Sequence, residues 1–445
     1  MRFSENRLAV TTSGLFLWLI GTITGALSWG SLGVFAFLLV FAAGYGYATS
    51  KTSRALFVLG YFLGGSWVLI SVFNAFWPAE SPYLGYVAWP GVALLLSVPW
   101  WIIGAFGSEK PRTIAARLGF GLVLTSIPPL SAWSLISPLL MAGSYFPGTG
   151  LSGLVLSIFM LMMIAALFAE THQAEIQEAD SYHLYEKSSY ASYAEKNSGR
   201  TKGMLLRGAL LSIFAVSIVL NLTYTQPSAP RNVRGVSLSW KALPLNISFW
   251  KNVERQNKIN DWLVTYLESI PSHQTVLLPE NLEGFYFKNF YSQGIMDNIQ
   301  RIALLHHDTV LIGADDISTH HGKSWTYTDA LNAYGVHRGV FSSRQPVPLG
   351  EWKPWERGSA NAFWWSFGAD RLGKTPFAMA VCYSQLLVWP LATYFVDTNT
   401  RPEWILAPGN HDWERTPDEN TIQHKALMAW GRLYGIPVIQ ANDIH

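Results

Sequence analysis

Residues 8–50 carry no Asp, Glu, Lys or Arg, and this uncharged run constrains the chain more than any other feature. Its length is enough for two crossings of a ~30 Å hydrocarbon layer at ~20 apolar residues each. The imbalance continues along the chain. Of the 60 charged residues, ten fall in residues 1–169 and 50 in residues 170–445. A soluble chain is about a quarter charged, whereas this one is 13% charged and 50% hydrophobic. The chain therefore divides into a membrane part and a water-facing part. That excludes a wholly soluble enzyme, a disordered chain and a collagen-like repeat.

Apolar runs at 9–27, 31–49, 55–77, 85–106, 115–141, 150–169 and 204–222 predict an N-terminal α-helical multi-span membrane domain of about seven helices over 1–225. Basic residues fall in alternate loops. Arg2 and Arg7 precede the first run, Lys51 and Arg54 follow the second, and Lys110, Arg112 and Arg117 follow the fourth. Lys187, Lys196, Arg200 and Lys202 lie in the polar loop 170–202. The intervening short loops carry no Lys or Arg, so the positive-inside rule expects a cytoplasmic N-terminus. Residues 226–445 then lie across the membrane, and the 170–202 loop in the cytoplasm.

Net charge is +2 and no basic stripe is present, so direct nucleic-acid binding is not expected. One cysteine, Cys382, forms no intramolecular disulfide and no multi-cysteine metal site. The adjacent pairs His306-His307 and His320-His321 lack the spacing of a helical metal site. Neither GxGxxG nor a P-loop occurs. No metal and no cofactor is expected.

Past Pro227 and Pro230, short β-like runs alternate with helical stretches: TVLLPE (275–280), TVLIGAD (309–315), FAMAVCY (377–383), EWILAPGN (403–410) and IPVIQAND (436–443). This alternation predicts a layered α/β domain over 226–445 with chemistry at the strand ends. Three ends carry it: Glu280 after TVLLP, Cys382 and Tyr383 at the end of FAMAVCY, and Asn410, His411 and Trp413 around EWILAPGN. A strand-end thiol needs a base to become a nucleophile, and a carboxylate on a neighbouring strand end supplies one.

LLPENLEG resembles the Glu element of the nitrilase (carbon–nitrogen hydrolase) superfamily, VPLGEW (347–352) its VPFGE-type element, and MAVCYSQLLVWP its nucleophile element. GNHDW with Gln423-His424 resembles its later elements. A multi-span domain ahead of such a fold is similar to apolipoprotein N-acyltransferases and, more closely, to TraB-type conjugal transfer proteins. The resemblance implies an αββα domain, Glu280 as general base, Cys382 as the acyl-accepting nucleophile and Glu351 as a supporting carboxylate. It also implies that Tyr383, Asn410, His411 and Trp413 face the substrate, and that a membrane phospholipid or lipid-linked amide is the acyl donor. Other conjugation proteins are implied as partners, and a bacterial inner-membrane location with the C-terminal domain periplasmic.

The sequence departs from that pattern in three places. Ser343 stands where the family has its oxyanion Lys, Ser384 replaces the Glu after Cys-Tyr, and the family pattern continues beyond the position of His445. Arg344, one residue from the Lys position, is expected to turn into the Glu280–Cys382 site and supply the positive charge; Lys353 is a weaker candidate. Two functions follow. One is amidase or N-acyltransferase chemistry through a Cys382 thioester. The other is a catalytically degenerate, lipid- or partner-binding component of conjugation.

Overall fold

The computed structural model describes residues 2–77, 83–183, 192–238, 249–280, 282, 285–286, 290–320, 324–411 and 418–443. It separates into two units, Met1–Thr225 with Arg432–Tyr434, and Gln226–Gly431 with Gly435–His445.

The first unit is helical. Among the described residues, three helical stretches are long and apolar enough to cross a membrane: Leu84–Ala105, Leu151–Glu175 and Met204–Thr223. A fourth arises if Lys51–Gly65 and Leu69–Ala75, bent by 53° across the break between them, count as one. Shorter apolar helices cover Ser13–Trp29 and Phe35–Tyr47. Among the described residues the count is thus three to four, against the roughly seven that the apolar runs predict. The run at 115–141 shows why. Its helix, Pro111–Thr125, stops just before Pro128 and Pro129, which donate no backbone hydrogen bond. The rest forms short 3-10 turns at Leu130–Trp133 and Pro138–Met141. Leu139, Leu140 and Met141 there are buried. Their apolar character serves burial within the unit, which composition does not distinguish from burial in lipid.

The second unit is built on two sheets. Strands β1 (Val233–Gly235), β2 (Thr275–Leu277), β3 (Phe285–Tyr286), β4 (Thr309–His320), β5 (Ser324–Gly335) and β6 (Gly339–Ser342) make the first. Its order is β1-β2-β4-β5-β6, with β3 beside β4. β7 (Asp370–Leu372), β8 (Thr375–Met379), β9 (Ile405–Asn410) and β10 (Val438–Asp443) make the second, in the order β10-β9-β8-β7. The pairs β1–β2, β2–β4, β8–β9 and β9–β10 are parallel, whereas β4–β5, β5–β6 and β7–β8 are antiparallel.

Helices Phe249–Ser269 and Phe290–Leu305 cover the first sheet. Their Leu263, Leu267, Ile299 and Ile302 pack with Val276, Leu278, Val310 and Ile312. Val310, Leu311 and Ile312 are successive and all fully buried. A strand covered on both faces reads as a continuous apolar run rather than an alternation. The sheets touch where Phe341 meets Phe377, ring centroids 4.9 Å apart and nearly perpendicular. They also touch where Leu238 donates its backbone N–H to Asn442 at 2.9 Å. Gly235 permits that approach: a Cβ there would lie 1.9 Å from the Gln440 carbonyl oxygen.

Candidate functional site

Two strand ends, one from each sheet, bring the Cys382 thiol and the Glu280 carboxyl together. β2 stops at Leu277, but the pairing runs on for a few residues: Leu278 N–H donates to Leu311, and Gly313 N–H to Pro279. Glu280 follows, 5% exposed. In the second sheet β8 ends at Met379, and Ala380 N–H still reaches Leu406 at 2.9 Å. The chain then turns abruptly at Cys382, whose φ is 38°. A residue with a Cβ in that left-handed region costs about 1–3 kcal/mol. The turn opens the 3-10 helix Cys382–Leu386, fixed by Ser384, whose N–H and hydroxyl both donate to the Val381 carbonyl. The Cys382 thiol, itself buried, hydrogen-bonds the Glu280 carboxyl.

Around this pair stand more carboxyls than the sequence reading named. Asp315 in β4 and Asp329 in β5 are direct cross-strand partners, and both are buried. Like charges facing each other across an antiparallel pair destabilise it when both are ionised. Glu351 comes from the loop after β6, where it caps its own turn: its carboxylate accepts from Val347 N–H at 2.9 Å. One oxygen each from Glu280, Asp329 and Glu351 lies within 4.8 Å of the others, a spacing that would accommodate a metal ion.

The electrostatics are one-sided. Burial is the largest effect on all four carboxyls and holds each above the usual carboxylate range. For Glu280 the neighbouring Asp329, Glu351 and Asp315 push the same way, while the Cys382 hydrogen bond pulls back. Asp329 is raised further by Glu351 and relieved by Ser343. Val347 N–H alone offsets the burial of Glu351. Among the described residues, no Lys or Arg acts on these groups. The Tyr327 phenol is also pushed up, first by burial and then by the same carboxyls. The cluster as a whole holds its protons more tightly than exposed carboxyls do.

Arg344 does not point into this site, contrary to its expected role. Its guanidinium donates to the Pro390 carbonyl at 3.4 Å, to the Gly368 carbonyl at 2.7 Å and to the Thr393 hydroxyl. It also lies 3.2 Å over the Tyr394 ring centroid. Among the described residues, the carboxyl acting on it is Asp370. A planar fork finds its bonds where carbonyls and a ring are arranged for it, and a one-residue shift placed it there. Lys353 pairs with Glu356 at 3.3 Å, away from the cluster.

The remaining residues lie at the ends of the second sheet. Tyr383 follows the nucleophile turn, and burial pushes its phenol up. Asn410 ends β9 in register with Asp443. His411 is buried, its N–H donating to Asp443 at 2.8 Å. Trp413 lies outside the described residues. The structure thus brings Glu280, Glu351 and Cys382 together and leaves Arg344 out. The sequence reading missed Asp315 and Asp329. The sequence carried little signal for them, since only the β4–β5 register pairs the two acids and buries them.

No protein-family model matches the chain. Among solved structures it is similar to a carbon–nitrogen hydrolase from Helicobacter pylori G27, at 14% identity over 48% of this chain and 72% of that one, with a TM-score of 0.32. It is also similar to an amidase from Nesterenkonia sp. AN1, at 10% identity over 40% and 65%, with a TM-score of 0.24. Among curated proteins the distant relatives are more particular. The chain is 24% identical to the conjugal transfer protein TraB of Agrobacterium fabrum, over 85% of this chain and 74% of that protein. It is 23% identical to a probable conjugal transfer protein TraB of Sinorhizobium fredii, over 94% and 95%.

Proposed function

We propose that this protein is a membrane-embedded component of conjugal transfer, of the TraB kind, whose nitrilase-like domain works by binding rather than by rapid turnover. The relatives support the process, and one observation carries the rest. The Glu280–Cys382 pair sits among Asp315, Asp329 and Glu351, and no cation among the described residues acts on it. The buried carboxyls there already resist ionisation, and with no cation acting on them a thiolate would find no counter-charge, which raises the cost of forming the nucleophile. A tetrahedral oxyanion would meet the same lack. Losing one oxyanion donor alone costs about 2.7–4 kcal/mol, or 10²–10³ in rate. The basic loops favour an inner-membrane, multi-pass protein with a cytoplasmic N-terminus and a periplasmic nitrilase-like domain.

A second reading is favoured by the Cys382–Glu280 hydrogen bond and by the left-handed turn that presents the thiol. In it, ionised Glu280 takes the thiol proton as sulfur attacks the carbonyl of a lipid-linked amide. The C–N bond breaks, and the amine leaves with that proton. An incoming amine or water then opens the thioester, its proton passing through Glu280 back to sulfur.

The two readings separate in one experiment. The full chain, purified in lipid nanodiscs, is incubated with a thiol-reactive acyl-donor probe beside Cys382→Ala and Glu280→Gln. The binding reading expects little or no acylation of the native chain by intact-mass measurement. Stoichiometric labelling that disappears in Cys382→Ala and slows in Glu280→Gln would establish the thioester and remove the binding reading.

A further inference from the structure

The connection from β6 of the first sheet to β7 of the second covers residues 343–369, far longer than an ordinary loop. Residues 352–367 of it contain four Trp and two Phe. Its inner face is fixed. Trp352 and Trp364 meet edge to face at 5.3 Å, Trp364 Nε1 donates to the Gln345 side chain at 2.6 Å, and Trp389 Nε1 donates to the Trp364 carbonyl at 2.7 Å. The outer face is bare. Trp365 is 61% exposed and Phe367 55%, each ring edge-on to Trp389 at 5.6 and 6.2 Å. Trp355, farther back on the loop, is 68% exposed. Tryptophan is highly buried on average, and here several large rings are held outward on a braced base.

Chain connectivity says what covers them. The helix that includes Met204–Thr223 is apolar, its window only 6% buried within the protein, so its surface is left to lipid. The α/β unit begins at Gln226. The intervening residues span at most about 10 Å when extended. A lipid surface is therefore present beside every copy of the domain at high effective concentration, which no free partner matches. Trp is the residue of the headgroup layer, with an apolar ring and a polar N–H. Lys353 and Arg357 flank Trp355, and Glu356 is engaged by Lys353, which leaves this edge net positive toward anionic headgroups.

We propose that Trp365 and Phe367, braced by Trp389, and Trp355 on the same loop insert into the headgroup layer of the membrane that the chain's own helices enter. The proposal rests on the membrane-embedded reading above and goes beyond it by naming lipid headgroups as what this loop binds. Because the same loop carries Glu351, insertion fixes one wall of the carboxyl site at the lipid surface.

The test uses the full chain in nanodiscs of phosphatidylcholine and phosphatidylglycerol. On a Cys382→Ala background, nitroxides are attached at Trp365→Cys and Phe367→Cys, at Val219→Cys in the apolar helix, and at exposed Lys374→Cys. The loop labels are expected to collide with oxygen more than with a water-soluble nickel chelate, as Val219→Cys does, and Lys374→Cys to show the reverse. Water-like loop labels beside a lipid-like Val219→Cys would overturn the proposal and leave the membrane reading standing. A water-like Val219→Cys would overturn both. Spin–spin broadening at Trp365→Cys would make a second copy the occupant and overturn the lipid assignment. With Cys382 intact, brominated lipid is expected to quench more of the native Trp emission than of a Trp355→Phe, Trp365→Phe chain; equal fractional quenching would also overturn it.

Discussion

Two buried charged clusters lie in the same α/β unit and solve opposite problems. Around Arg344 a single cation is met by two carbonyls, a hydroxyl, an aromatic face and the partner acid Asp370. Around Glu280 four carboxyls and a thiol are gathered with no cation acting on them among the described residues. The first cluster meets its charge with two carbonyls, a hydroxyl, an aromatic face and an acid. The second resists ionisation, burial holding each of its carboxyls above the usual range. The comparison separates a site built for stability from one whose charge state is left open, and the cation expected at the second is found in the first.

Removing the cation of the satisfied cluster is the largest perturbation. Arg344→Ala leaves buried carbonyls and Asp370 without their donor, and a loss of about 3–5 kcal/mol is expected, read as a fall in unfolding midpoint of the reconstituted chain. Arg344→Lys should recover only part of it, because an ammonium cannot span the same acceptors. If Arg344→Ala unfolds like the native chain, the idea of a structural cation falls.

Supplying a cation to the other cluster comes next. Ser343 is buried against Asp329, and its N–H donates to the Asp329 carbonyl at 2.8 Å. Ser343→Lys is expected to lower the pKa of Glu280 and raise the rate of probe acylation at Cys382 by about 10²-fold, the scale of one oxyanion donor. The check is the labelling time course, with a melting curve confirming that the variant folds. An unchanged rate in a folded variant would mean that charge is not what limits the thiol.

A smaller effect is written into pH. Raised carboxyl pKa values mean that the folded chain binds more protons than the unfolded one between the two values. The contribution is therefore fully present below the ordinary carboxylate range and is lost as pH rises through the raised values. The unfolding midpoint is expected to fall from mildly acidic toward alkaline pH. Asp329→Asn, which keeps the shape and deletes one acid, should flatten that slope and add about 1–2 kcal/mol at alkaline pH. A midpoint rising with pH would contradict the raised carboxyl pKa values. Least of all should come from Lys353→Ala. Its pair with Glu356 is partly exposed, and a change within about 1 kcal/mol is expected in melting experiments.

How much of this was legible follows from where each residue's signal lies. Glu280 and Cys382 were readable because each follows a short apolar run and a break, which marks a strand end. Glu351 was readable from its loop string. Asp315 and Asp329 were not, because β5 reads as TYTDALNAYG, with polar residues that conceal a strand. Only its pairing with β4 puts the two acids opposite each other. The expected 115–141 span failed for a related reason, since apolar residues signal burial but not what buries them.

By itself, the sequence determined the division into a charge-poor helical part and an α/β part, because hydration cost acts on composition and is local. It also determined which strand ends carry reactive groups, because strand and turn propensities are local as well. The tertiary structure alone decided which acids meet, since cross-strand register joins residues 315 and 329 without any adjacency in sequence. It alone decided the direction of Arg344. A one-residue displacement changes nothing in composition, yet a rigid guanidinium goes where acceptors are fixed, and those acceptors, Gly368, Pro390 and Thr393, come from segments 24 to 49 residues away.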